Sequence, residues 1–132
     1  MAKPTSAFSF PLLGVIEAGW PSPAEEELTD TLTLDDWITD NWEATFMLKT
    51  SGNAMKGAAI VAGDMVLLDR SRTAKDGDIV LAQVDDTTAL RYLRKRGSRV
   101  YLEAANRNFR PLVPQEKLTI IAVVIAVIRK YY

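Results

Sequence analysis

The stretch Lys49–Asp69, KTSGNAMKGAAIVAGDMVLLD, decides how this chain is read. Its first part is polar, small and glycine-containing, which is turn chemistry. Its last part, Met65 to Asp69, is an apolar run bounded by Gly63-Asp64 and Ser71, which predicts a strand. The preceding ATFMLKTSG, from Ala44, alternates enough to predict a second, half-buried strand. A small turn between two strands is a setting for a reactive side chain, yet the residue at its centre is Ala54. The turn is therefore either an empty loop or a catalytic site without its nucleophile.

Outward from this stretch the strand pattern continues. GDIVLAQVDD lies between the polar clusters KDGD and DDTT. ALRYLRKRG sets Leu90 and Tyr92 against Arg91, Arg94 and Arg96, and SRVYLEAA follows closely, which predicts a hairpin around Gly97-Ser98. KLTIIAVVIAVIRKYY is continuously apolar and rich in β-branched residues, which suits a strand buried on both faces or shared with a partner chain. Closely spaced strands with little helix predict a mainly β domain. The segment Leu34–Ile38 is the exception. It predicts a short helix with Thr33 as N-cap and Asp36 completing a capping box, and with Leu34, Trp37 and Ile38 on one face.

The ends of the chain differ in character. Pro4, Pro11, Pro21 and Pro23 break regular structure, and GWPSPAEEE is turn-like and then acidic. Residues 1–24 are accordingly read as an N-terminal arm and residues 25–132 as a β-rich domain. Pro4, Pro11 and Glu17 interrupt the first apolar segment and argue against a signal peptide. The longest apolar run, Ile120–Ile128, is far shorter than the ~20 residues that span a bilayer.

Composition narrows the chemistry. The 132 residues are 48% hydrophobic and 25% charged, ordinary for a globular chain, with a net charge of −1. No global basic field draws the chain to nucleic acid or membrane. Arg91, Arg94, Lys95, Arg96 and Arg99 cluster locally, either to touch nucleic acid or as the solvated face of a hairpin. The hairpin reading is preferred, because no helix-turn-helix or aromatic RNA platform accompanies them. Glu25–Glu27 reads as a solvated linker, and Trp20, Trp37 and Trp42 as core or docking anchors. The absence of cysteine removes disulfides and thiolate chemistry and is compatible with a cytoplasmic location. The absence of histidine removes Ser-His-Asp triads and the usual zinc sites, so no metal or cofactor is expected. Acid–base chemistry would fall to Asp, Glu, Lys or Tyr.

Several motifs in order resemble the self-cleaving LexA/UmuD family, its UmuD branch most closely. FSFPLL followed by AGWPSPA resembles the family's arm and cleavage site. Lys49–Asp69 resembles its V-x-G-D-S-M…G-D-x-V-x-V-D block, and KDGDIVLAQVDDTTALRYL the block ending in T-V-K-x-L. LEAANRNFRPL resembles L-x-x-x-N-x-x-Y/F-x-P, and IIAVVIAVIRK the final G-V-V-x-x-V-I strand. The resemblance runs from Phe8 to the C-terminal strand.

This resemblance implies the LexA C-terminal, signal-peptidase-like fold and a Ser-Lys dyad that cuts the protein's own arm. A lysine base must be neutral, and burial lowers its pKa toward that state. The nucleophile position falls on Ala54 and the general-base position on Arg91, with Gly52, Asn53 and Met55 forming the turn that faces the oxyanion. Alanine has no hydroxyl, and arginine is not deprotonated in proteins. The chain is therefore expected to be inactive. A relocated dyad on Ser51 and Lys56 is disfavoured, because attack geometry tolerates little displacement. Replacement of a serine to trap the uncleaved form and natural loss of the protease are both compatible with these residues.

The implied scissile bond is Ala18-Gly19, with Val15 and Ile16 able to dock as an added strand. Phe10, Pro11, Leu12 and Leu13 resemble the part of the arm that contacts the replicative sliding clamp. The resemblance further implies a homodimer, with TIIAVVIAVI near its interface, stimulation by the RecA–single-stranded DNA filament, and a UmuC-type translesion DNA polymerase as partner. It implies no sequence-specific DNA binding and no membrane association. The alternative is the C-terminal part of a LexA or phage-type repressor. That reading needs a DNA-binding helix-turn-helix, for which the 18 residues before Gly19 are too few.

Overall fold

The structure is a computed structural model that describes residues 9–16, 18 and 30–132. The chain divides into two units, Met1–Trp42 and Glu43–Tyr132. The boundary expected after residue 24 lies outside the described residues, as do Gly19, Trp20 and Glu25–Glu27.

In the first unit, β1 (Phe10–Leu12) pairs antiparallel with β2 (Asp30–Leu32), placing Pro11 opposite Thr31. The sequence reading assigned no strand here. Proline lacks an N–H, and this two-stranded ribbon offers it an edge where none is needed. The helix α1 (Leu34–Ile38) forms as expected. Its capping differs: the Thr33 hydroxyl donates to the Asp36 carboxylate at 2.8 Å and caps no backbone N–H. The expected capping box is therefore replaced by a side-chain pair. Leu34 and Trp37 remain 53% and 69% exposed, so Trp37 is not a core residue.

The second unit is one antiparallel sheet of six strands: β3 (Thr45–Lys49), β4 (Met65–Asp69), β5 (Ile79–Val84), β6 (Thr87–Arg96), β7 (Arg99–Glu103) and β8 (Leu118–Ile128). Their spatial order is β3-β4-β8-β5-β6-β7. The fold is mainly β, as expected. All six strands coincide with the apolar runs read from the sequence, because each run is bounded by turn residues that cannot extend the ladder.

β8 explains its own continuous apolarity. It bonds β4 along one edge and β5 along the other, and a register shift interrupts each ladder, at Leu67/Leu68 and at Leu81/Ala82. Such bulges bend and twist a strand. Ala122 packs with Met55, Ile60, Val66 and Leu68, whereas its neighbour Val123 packs with Val80, Ala82, Val84, Leu93 and Leu102. The strand is thus buried on both faces at its centre. Beyond Val123 it pairs with β4 alone among the described residues, and Val127 and Ile128 are partly exposed.

Two acidic side chains close the loops. Asp85, in left-handed conformation in the β5–β6 turn, accepts the N–H groups of Gln115, Glu116 and Lys117 at 3.2, 2.9 and 3.0 Å. Asp76 accepts the Lys95 N–H and pairs with Arg96 at 2.9 Å. Arg94 pairs with Glu103 at 3.0 Å and lies over Tyr92. These pairings support the reading of the basic cluster as a hairpin face.

Truncation of Leu68, fully buried between β3 and β8, tests this packing. Leu68→Ala is expected to lower the unfolding free energy by about 2–5 kcal/mol. Urea denaturation followed by far-ultraviolet circular dichroism, which reports on the six-stranded sheet, measures it, and a negligible change in midpoint would contradict the packing described.

Candidate functional site

The turn that follows β3 is fixed from below. Met55 and Ile60 are buried in the same apolar cluster, and Met55 O accepts the N–H groups of both Ala58 and Ile60. Lys56–Ala58 makes one 3-10 turn, ended by Ala59 in the left-handed region at φ 62°. An L-residue is rarely held there without support. The support is bonding on both sides: the Ala59 N–H donates to Lys56 O, and its carbonyl accepts from the Arg129 guanidinium at 3.0 Å.

A second loop holds the turn from the side. The Gly57 N–H donates to Ala105 O at 2.6 Å, and a Cβ at Gly57 would meet that same oxygen at 2.6 Å. Only glycine permits that approach. Asn106 donates its side-chain amide to Asn53 O at 3.0 Å. The Leu102–Leu112 bridge closes the base of this loop. The loop also carries Phe109, whose ring lies 5.6 Å from the Arg91 guanidinium.

Beneath the turn sits an ion pair. Arg129 meets Asp64 with two bonds of 2.7 Å, a bidentate fork. Asp64 also accepts the Val61 N–H at 2.9 Å, and its backbone carbonyl accepts the Thr50 N–H at 2.8 Å. The Arg129 bonds, then the Val61 bond, hold the Asp64 carboxyl down at about 2, against an ordinary 3.8. The same pairing holds Arg129 above its ordinary value.

Ala54 and Arg91, distant in sequence, line one pocket of about 300 Å³. Gly52 and Met55 line it as well, while Asn53 faces a separate open cavity together with Lys56. Lys56 is thus on a different cavity from Ser51, which lines the first pocket. Arg91 is half-buried. Its Nη1 donates to Leu90 O at 2.8 Å, and its Nε is buried with no partner among the described residues. Burial pushes the guanidinium pKa down from its ordinary value.

The pocket lining is mixed: Leu48, Ile60, Val66, Leu81 and Leu90 are its apolar side chains, and Thr50 and Ser51 are polar. Lys49 and Thr88 also line it, and the sequence reading assigned neither to the site. Thr88 was accessible to that reasoning, since it lies two residues before Leu90 on β6 and shares its face. Lys49 ends β3, next to the turn, and is exposed. It lacks the burial that a neutral lysine base requires. In the other unit, Phe10, Leu12, Leu13 and Pro11 are exposed, and Val15 and Ile16, close before Ala18, are 88% and 84% exposed.

A mainly β domain with a small-residue turn set over a pocket is the LexA-like C-terminal type of fold. The chain belongs to the Peptidase S24-like family, which it matches over residues 11–125. It is 32% identical over 130 residues to the LexA repressor of Clostridium novyi (strain NT), covering 97% of this chain and 63% of that protein. It is 32% identical over 134 residues to the LexA repressor of Clostridium botulinum (strain Hall), covering 99% and 66%. It is 32% identical over 122 residues to the LexA repressor of Aliivibrio fischeri (strain MJ11), covering 90% and 58%. The chain therefore spans 58–66% of the length of these relatives. Among the described residues, no helix is long and apolar enough to cross a membrane.

The Asp64–Arg129 pair gives the site an acid limit. A carboxylate whose folded pKa is depressed stabilises the fold above its unfolded value, and this contribution is lost as pH falls through the folded value. Asp64→Asn is therefore expected to melt below the unmodified chain at neutral pH, with the gap closing from about pH 4 to about pH 2. Thermal melts across that range check it; a gap independent of pH would exclude this pair as its source.

Proposed function

We propose that this chain carries the self-cleavage scaffold of the LexA/UmuD type with its Ser-Lys dyad disabled. Ala54 stands at the nucleophile position and Arg91 at the general-base position, and the Ala18-Gly19 bond is the intended cut. The observation that carries this reading is the convergence of Ala54 and Arg91 on one pocket. A methyl group cannot attack a carbonyl, and a permanently charged guanidinium cannot accept the proton. The chain binds and positions but does not cut.

The finer reading is a UmuD-like accessory subunit of an error-prone translesion polymerase in the SOS response, acting in the cytoplasm. Its homodimer is supported by the open edge of β8 past Val123 and the exposed Val127 and Ile128. The exposed Phe10, Leu12 and Leu13 support a sliding-clamp contact by the arm. A second reading has equal support from the names of the relatives: the regulatory C-terminal part of a LexA-type repressor. Co-purification with a UmuC-type polymerase distinguishes the first, and operator binding by the protein in its native genomic length distinguishes the second.

Incubation at alkaline pH, or with an activated RecA filament, is expected to yield no fragment beginning at Gly19. Ala54→Ser combined with Arg91→Lys is expected to yield it, read by mass spectrometry. Cleavage of the unmodified chain, or a folded but inert double variant, would remove the dyad assignment. Sedimentation at micromolar concentration is expected to show twice the 14.6 kDa chain mass; a monomer counts against the UmuD-like reading.

A further inference from the structure

The pocket beneath Ala54 has an unbalanced charge. Of the residues that line it, only Lys49 and Arg91 are charged, and no carboxylate is among them. Arg91 is the more confined of the two. It gives one hydrogen bond, to Leu90 O, and keeps a buried Nε without a partner among the described residues. A half-buried guanidinium whose Nε is buried without a partner among the described residues is unfavourable, and its planar fork matches the two oxygens of a carboxylate.

A second set of donors stands on the same turn. Of its residues, Gly52, Ala54 and Met55 line the pocket, and their backbone N–H groups give no hydrogen bond to any described residue. Consecutive free N–H groups on a tight turn make an anion-binding concavity. Around these donors the lining is mixed, with Leu48, Ile60, Val66, Leu81 and Leu90 apolar and Thr50, Ser51 and Thr88 polar. At about 300 Å³ the pocket is at the small end of ligand sites, which run from ~300 to 1,000 Å³. The planar Arg91 fork matches the two coplanar oxygens of a carboxylate, and the apolar side chains of the lining suit an apolar group behind it.

We propose that the Ala54–Arg91 pocket is a receptor for a carboxylate, and in particular for the free C-terminal carboxylate of a short apolar peptide. This inference rests on the reading of the pocket as the former dyad site. In that reading the same exchange that removes hydrolysis, a methyl at 54 and a fixed cation at 91, converts a cleavage site into one that retains an acid end. No bond is made or broken. The carboxylate takes the Arg91 fork and the turn N–H groups, and the side chains before it lie on the apolar part of the lining.

The test uses the full chain and the peptide LLGVIEA, which reproduces residues 12–18 and ends in a free carboxylate. The expected result is binding about ten-fold or more tighter than the same peptide ending in an amide. Chemical-shift changes should centre on the N–H groups of Ala54 and Met55, and acetate should displace the peptide while inorganic phosphate at equal concentration should not. Arg91→Met should remove the preference for the acid, and Arg91→Lys should keep part of it. A melt of each variant excludes unfolding as the cause, and the acid-against-amide comparison needs no variant. Equal binding of acid and amide, shifts elsewhere on the sheet, or better displacement by phosphate overturns the proposal. Its failure is separable from failure of the dyad reading. If Ala54→Ser with Arg91→Lys cleaves while the unmodified chain ignores the carboxylate, only this inference falls. If the double variant is inert while the acid binds, the dyad assignment falls instead.

Discussion

The fork between Asp64 and Arg129 is the constraint on which the site depends. It joins the turn before β4 to the residue just after β8, so the last ordered strand and the candidate turn share one anchor. Asp64 is almost fully buried, and its side-chain acceptors are taken up by Arg129 and the Val61 N–H. Arg129 uses its remaining reach on Ala59 O, the residue held in left-handed conformation at the end of the 3-10 turn. One cation therefore fixes both ends of the segment 59–64. Without it, the buried carboxylate would lose its compensating charge and the left-handed residue its acceptor contact.

From this anchor the position of Ala54 follows by packing rather than by bonds of its own. Met55 on one side is driven into the apolar cluster with Val66, Leu68 and Ala122. Asn53 on the other side is held through its carbonyl by the Asn106 amide. A residue between a buried methionine and a neighbour pinned through its carbonyl has little freedom, which suits presentation of a side chain to a pocket. The loop 105–109 contributes three times, through Ala105 and Asn106 to the turn and through Phe109 to Arg91.

The strands were legible because their apolar runs are short and end in turn residues, and two of those turns have structural causes that the residue types announce. Asp85-Asp86 and Gly97-Ser98 each lie between paired strands. The double burial of β8 was legible from its continuous apolarity, but the register shifts that produce it were not, since they depend on which neighbour each half bonds. The β1–β2 ribbon was hidden by its prolines. The Thr33–Asp36 pair has the spacing of a capping box, and only side-chain geometry separates the two. That Ala54 and Arg91 would share one pocket was legible only through resemblance. Nothing in composition or periodicity marks an alanine as functional. Lys49 and the role of Arg129 were not legible, because their partners lie in other strands and loops.

The fold and the proposed loss of catalysis are compatible for a physical reason. The interactions that stabilise this turn are the Asp64–Arg129 fork, the Gly57–Ala105 contact, the Asn106–Asn53 bond and the burial of Met55 and Ile60. None uses a hydroxyl at position 54. Arg91 stands on β6, and its ladder with β5 is made by backbone atoms that are indifferent to the side chain. A scaffold built this way separates stability from chemistry. It can lose a nucleophile and a base without losing its shape, and it keeps the pocket, the turn donors and one added fixed positive charge. That remaining equipment is suited to recognition, which is the role proposed for a chain with these residues.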